Sequence, residues 1–299
     1  SCDIVCATTY SDNSIYAQLG LEALKGKTIQ DRTHSIAATI HKAGYEDPIS
    51  TNPSMVLGGL TEGVTPLGWT YAYSTIGNNG DRTSGTLAPR PGDSPVAYTQ
   101  VTDQDGHTIK GGDNDSIHTQ VIPEGVAEEA KSILETVVSS GTGTHANIGA
   151  SGQWGKTGTT ENNGDAWFCG GIEDEVTACV WVGYADTTTP MTTLYNGGPV
   201  MGGTFPALIW ASVMSAWEEI KAEREAEAKE GKHGGSSSGS GSPYVPPAST
   251  PETEVESSET EPAEPSEPVA PEPTEPEAAE PAEPSEPAAP ATGGGVTAG

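Results

Sequence analysis

A lysine, two threonines and a glycine stand in a row at Lys156-Thr157-Gly158-Thr159, inside the segment Gly152-Gln-Trp-Gly-Lys-Thr-Gly-Thr-Thr. On a β-prone stretch successive side chains point to opposite faces. Lys156 and Gly158 are therefore expected on one face, and Thr157 and Thr159 on the other. With no side chain, Gly158 would let another backbone or a ligand come close. Such a strand at a sheet edge can pair with an extended peptide, set a positive charge beside a reacting oxygen, and hydrogen-bond a terminal carboxylate. Lys-Thr-Gly alone recurs by chance. A second polar cluster, Ser11-Asp12-Asn13, lies far upstream and offers a hydroxyl and an amide to the same chemistry.

The elements that must position these groups follow from periodicity. Ile15, Leu19 and Leu24 make a helical stripe after Ser11-Asp12-Asn13. Two readings of that cluster stand side by side: Ser11 and Asn13 on a loop facing a cleft, or plain N-capping of the helix that follows. Residues 28–43 read as a second helix stopped near Gly44. His34 and His41 share a face of it without a third ligand, which disfavours zinc. Thr65 and Pro66 open a third helix that ends between Gly77 and Gly80. Residues 96–102 and 107–110 read as a hairpin around Asp105-Gly106. The nearby Asp103, Asp105, Asp113 and Asp115 lack the spacing of a calcium loop and are expected to be solvated turns. Residues 123–138 read as an amphipathic helix burying Val126, Ala130, Ile133, Leu134 and Val137.

After the Lys156 strand, residues 165–172 and 176–184 read as a hairpin around Glu173-Asp174-Glu175. A symmetric turn sets Cys169 opposite Cys179, with Cβ atoms about 4.5–5.5 Å apart. A modest adjustment would bridge them; otherwise they are two small buried apolar groups. A bridge would fit an oxidising, extracytoplasmic setting. Cys2 and Cys6 stand at i, i+4, with no pairing assigned. A last helix, with Thr204 or Phe205 at its cap and Pro206 in its first turn, is expected to lay Ile209, Val213, Trp217 and Ile220 across a sheet. Beyond Glu218 it becomes wholly charged and should project into solvent as far as Gly231.

The formal net charge of −29 is unevenly spread, since no Lys or Arg occurs from Pro243 onward. Such acidity argues against a nucleic-acid partner. No apolar run of about 18 residues is present. Residues 223–242 read as a charged helix extension and Gly/Ser linker. Residues 243–299, with Glu-Pro-Ala-Glu-Pro-Ser-Glu-Pro at 261–268 and again at 280–287, read as an extended, disordered acidic tail.

Taken together the motifs carry a family resemblance. Ser11-Asp-Asn and Lys156-Thr-Gly match two of the three elements of the penicillin-interacting serine acyl enzymes, whose set is Ser-x-x-Lys, Ser-x-Asn and Lys-Thr-Gly. Gly63-Val-Thr-Pro-Leu, Gly141-Thr-Gly-Thr-His-Ala, Asp165-Ala-Trp-Phe and Val180-Trp-Val-Gly-Tyr occur in order with them. Over about residues 1–222 the chain resembles the C-terminal part of the transpeptidase domain of a class A, bifunctional penicillin-binding protein. The resemblance implies an α/β (α+β) fold of the serine β-lactamase/transpeptidase type, an antiparallel sheet flanked by helices. It implies acyl transfer from D-alanyl-D-alanine stem peptides, binding of β-lactams, and no metal or other cofactor. By resemblance, Lys156 would supply charge, Ser11 would relay a proton, and Asn13 would hold the substrate's amide. Thr157, Gly158, Thr159 and Thr160 would line the substrate, and the Thr159 N–H would be an oxyanion donor. The full-length protein would be anchored to the plasma membrane, face the extracytoplasmic side of the cell envelope, and carry a glycosyltransferase domain.

No Ser-x-x-Lys precedes Ser11, and the chain begins Ser1-Cys2-Asp3. The expectation is a domain incomplete at its N-terminus, cut after the nucleophile helix, and inactive alone. The alternatives are a serine β-lactamase or DD-carboxypeptidase, which share both motifs, and a non-catalytic, secreted wall-binding module.

Overall fold

The computed structural model describes residues 2–87, 92 and 94–231 of the chain. In order these form α1 (Ile4–Tyr10), α2 (Asn13–Gln18), α3 (Ile29–Lys42), α4 (Pro66–Gly77), β1 (Asp81–Gly85), β2 (Gln100–Thr102), β3 (Thr108–Asp113), β4 (Ser116–Gln120), α5 (Glu124–Ser139), β5 (Gln153–Thr159), β6 (Asp165–Ile172), β7 (Val176–Gly183) and α6 (Phe205–Gly231). Helices surround a three-stranded antiparallel sheet of order β5-β6-β7, and two-stranded arms pair β1 with β4 and β2 with β3. This is the mixed helix and antiparallel-sheet class expected. The expected Gly/Ser linker at 236–242 and the acidic tail lie outside the described residues.

The tight turn after Ile172 fixes the register, pairing Ile172 with Val176 and Cys169 with Cys179. The Cys169 and Cys179 sulfurs stand 2.07 Å apart. A second pair, Cys2 and Cys6, is bonded across the first turn of α1.

Alternation along the strands gives the sheet two different faces. Phe168 and Ile172 of β6 lie on the face that meets α6, packed with Ala207, Trp210 and Met214 of that helix and Val138 of α5. The Phe168 and Trp210 rings meet edge to face at 5.2 Å, and Trp210 Nε1 donates to the Gly170 carbonyl at 3.3 Å. The other face carries Trp154, Lys156 and Gly158 in register with Gly171, Cys169 and Trp167. There Tyr73 of α4 stacks on Trp154 with ring centroids 6.3 Å apart. Burial of Tyr73 raises its phenol pKa to about 12, so it remains neutral.

Several helix faces differ from the periodicity reading. Ile209, Val213 and Ile220 are 45%, 51% and 43% exposed, while Ala207, Trp210 and Met214 are fully buried on the sheet. The first turns of α6 are apolar on every side, so the pattern alone does not single out a face. Trp210 decides it, flanked by a small Ala207 that lets the helix approach. On α5, Val137 is buried as expected and Ala130, Ile133 and Leu134 are half-buried, but Val126 is 58% exposed and its neighbour Ala127 is buried in its place. The stripe after Ser11 ends early. A π-helical turn covers Leu19–Ala23, and Leu24 leaves it in extended conformation, 40% exposed.

Other boundaries hold. Thr28 and Asp31 cap α3 reciprocally, and Pro66 opens α4. The β1–β4 arm, with Asp81 opposite Gln120, has no counterpart in the sequence reading. In the β2–β3 hairpin the first strand starts at Gln100, not Val96. Its turn is closed by Asp103 Oδ1, which accepts from the N–H groups of Asp105 and His107, each at 2.9 Å. That acidic turn is therefore built around its own backbone.

Candidate active site

α1 ends at Ser11, whose φ of 56° and ψ of 51° place it in the left-handed region. The reversal aims the chain into α2, where Asp12 Oδ1 accepts from Ser14 N–H at 2.9 Å and Ile15 N–H at 3.2 Å. Of the three residues in the cluster, Asp12 is thus the cap. Asn13 is the first residue of α2 instead of a loop residue, and it is exposed.

Ser11 meets the strand cluster. Lys156 Nζ donates to Ser11 Oγ at 2.8 Å across 145 residues of sequence, and to the Thr157 carbonyl at 3.0 Å. The frame holding Ser11 is also visible. Thr9 bonds the Thr136 hydroxyl of α5 through its own hydroxyl, and its carbonyl accepts from Thr142 N–H at 3.1 Å. The Tyr16 hydroxyl meets Thr8 Oγ1 at 2.6 Å and ties α2 to α1.

β5 is an edge strand, and the phase of its ladder can be worked out. Thr160 N–H donates to Asp165 O at 3.1 Å, and Glu173 N–H donates to Gly152 O at 2.9 Å. In an antiparallel pair the bonded residues alternate. Gly155, Thr157 and Thr159 therefore turn their N–H and C=O groups away from β6, toward the outer edge. The Thr157 carbonyl is seen there, accepting from Lys156. The Thr159 N–H points the same way.

The opposite face of β5 is covered by residues that sequence reasoning missed. Thr142 Oγ1 meets Thr157 Oγ1 at 2.7 Å, and Gly202 N–H donates to Thr159 Oγ1 at 3.1 Å. His145 Nδ1 carries a proton, since it lies 2.6 Å from the Gly203 carbonyl, which can only accept. The signals were present as Gly141-Thr-Gly-Thr-His-Ala and the Gly-rich run at 196–203, but neither reveals its partner in sequence. Close backbone approach occurs at Gly202 rather than at Gly158. A Cβ on Gly158 would sit 3.4 Å from the Trp167 side chain, an ordinary contact. A Cβ on Gly202 would lie 2.6 Å from the Gly158 carbonyl oxygen. Gly202→Ala is expected to push this segment off β5, break its bond to Thr159, and lower the unfolding free energy by about 1–3 kcal/mol, read from urea melts.

Thr160 is not brought to the edge. Its hydroxyl accepts from Asp165 N–H at 2.7 Å and donates to Asp165 O at 3.1 Å, closing the β5–β6 turn. A cavity of about 430 Å³ lies at the other end of β5, between Trp154, Lys131, Glu128 and Glu173, and includes neither Ser11 nor Lys156. The Ser11–Lys156 pair lies apart from it, half-buried beside the outer edge of β5.

Among the described residues no carboxylate pairs with Lys156. Burial alone acts on its ammonium, lowering its pKa from 10.5 to about 8. An amine poised there, touching a serine hydroxyl, can both hold an anion and exchange a proton near neutral pH.

A family model, the penicillin binding protein transpeptidase domain, matches residues 2–199. The chain belongs to that family. It is 36% identical over 160 residues to penicillin-binding protein 4 of Bacillus subtilis, covering 54% of this chain and 22% of that protein. It is 33% identical over 142 residues to penicillin-binding protein 1A of Clostridium botulinum, covering 47% and 16%. The chain thus spans less than a quarter of either relative. The structure of penicillin-binding protein 1A from Haemophilus influenzae superposes with a TM-score of 0.53 at 19% identity, over 71% of this chain and 34% of that one, a likeness of fold.

Proposed function

We propose that the chain forms the substrate-holding side of a peptidoglycan DD-transpeptidase site, which cross-links cell wall by acyl transfer from D-Ala-D-Ala stems and binds β-lactams. The observation that carries this reading is the 2.8 Å bond between Lys156 Nζ and Ser11 Oγ beside the outward-facing edge of β5. An extended stem peptide would pair with that edge. Its terminal carboxylate would take the Lys156 charge and the Thr157 and Thr159 hydroxyls. Because Gly202 N–H already donates to Thr159 Oγ1, that hydroxyl keeps its own proton to donate to an anion. The reacting carbonyl oxygen would lie at Thr159 N–H, and one such donor is typically worth about 2.7–4 kcal/mol in the transition state. Ser11 would pass a proton between Lys156 and the leaving D-alanine amine. Asn13, at the exposed start of α2, would meet the substrate's amide. No step calls for a metal or cofactor.

The nucleophile would be a serine of a Ser-x-x-Lys element, which this sequence does not contain. Acyl chemistry would then require that element from the longer family domain, within a protein anchored at the extracytoplasmic face of the envelope. Two measurements test the reading. Fluorescent penicillin is expected to leave no covalent band on the isolated chain; a band would show that the nucleophile lies within it. A D-Ala-D-Ala peptide is expected to shift the amide resonances of Thr157 and Thr159. Shifts confined to the distant cavity would refute the assignment of the site.

A further inference from the structure

Lys156, Cys169 and Cys179 stand in one row across β5, β6 and β7, each directly opposite the next, on one face of the sheet. The strands are unusually bare around that row. Gly155 and Gly158 flank Lys156 and Thr157 on β5, and Gly170 and Gly171 follow Cys169 on β6. Glycine weakens a strand and leaves nothing to pack against. On the face of Lys156, its neighbour at position 158 and the residue diagonal to it at 171 have no side chain. The apolar side chains beside the lysine on this face are those of Trp154, Cys169 and Trp167, and the first two are buried, at 0% and 3% exposure. Within the sheet β5 pairs with β6 alone, and β6 is joined to β7 by an eight-pair ladder that the Cys169–Cys179 bond crosses near its middle. The polar groups facing Lys156 Nζ are Ser11 Oγ, the Thr157 carbonyl and Thr157 Oγ1.

We propose that the Cys169–Cys179 bridge is a positioning element for Lys156, stiffening a glycine-rich ladder directly behind it so that the ammonium stays dry and aimed at Ser11. Calling Lys156 functional rests on the transpeptidase reading; the physical claim about its environment does not. Without the bridge, β6 can part from β7 at Cys169, water reaches the lysine stem, and the amine returns toward its ordinary basicity. The bridge thereby couples the proton affinity of the site to the thiol redox state of its surroundings.

The test uses the whole 299-residue chain. Competitive acetylation of lysines, read by mass spectrometry across pH, reports the neutral fraction of Lys156. The parent is expected to titrate near the value of about 8 set by its burial. In a Cys169→Val/Cys179→Val variant, which keeps the apolar filling and loses the tether, the midpoint is expected to rise by at least about one unit, cutting labelling at pH 8 roughly fivefold or more. Parent protein reduced under native conditions should move the same way, so the result does not depend on the variant folding. An unchanged midpoint in folded variant or reduced parent would overturn the proposal. So would two reactive thiols from this pair in unreduced, denatured parent. Failure of the D-Ala-D-Ala peptide to bind would count against the transpeptidase reading alone, because the lysine titration is measured without ligand.

Discussion

Replacing Lys156 with methionine is expected to stabilise the fold at neutral pH while removing its capacity to hold an anion. The amine binds its proton less tightly in the folded chain, at about 8 against 10.5 when unfolded. Between those values the unfolded state carries more protons, so stability rises with pH across that window, and the whole penalty applies below pH 8. The gap corresponds to about 3 kcal/mol. Methionine keeps the apolar stem and drops the charge, but forfeits the bonds to Ser11 and Thr157, worth about 1–2 kcal/mol together. A net gain of about 1–2 kcal/mol at pH 7 should therefore disappear by pH 10, as read from paired urea melts. A variant less stable than the parent by the same amount at both pH values would show that burial does not act on this lysine. Peptide affinity should fall at least about tenfold, since a bond to a charged donor contributes about 1.5–3 kcal/mol. The site would then be one in which function is maintained against stability.

Trp210→Ala is expected to give the largest loss of stability, about 3–5 kcal/mol in urea unfolding. The indole is fully buried against Phe168, and its N–H is satisfied by the Gly170 carbonyl. Truncation opens a cavity beneath β6 and removes the indole's bond to that carbonyl. Trp210→Phe should cost less, because the ring packing survives and only the hydrogen bond is lost. Equal losses for the two variants would mean that the edge-to-face contact contributes little.

The contrast between Trp210 and Ile209 shows what the sequence makes legible and what it conceals. The existence of α6, α5, α4, β6 and β7 follows from caps, turns and apolar periodicity, all of which act within a few residues. Which side of α6 meets the sheet does not, because both candidate stripes are apolar and the choice depends on how Trp210 fits against Phe168. The β1–β4 arm was hidden for a similar reason: its strands are polar and pair across long stretches of chain, as Thr83 does with His118 35 residues away. Within the candidate site, Lys156 and Ser11 could be singled out by type and motif. Thr142, His145 and Gly202 could not, since their importance lies in which backbone groups they satisfy, and that is decided only when distant loops fold over β5.

The left-handed backbone at Ser11 carries one more consequence. Its φ of 56° is a conformation that β-branched residues strongly resist. Threonine has the same hydroxyl yet is excluded by its extra methyl, while glycine and asparagine accept the geometry but bring no hydroxyl to Lys156. Backbone shape and the bond from Lys156 thus favour serine here from two independent directions.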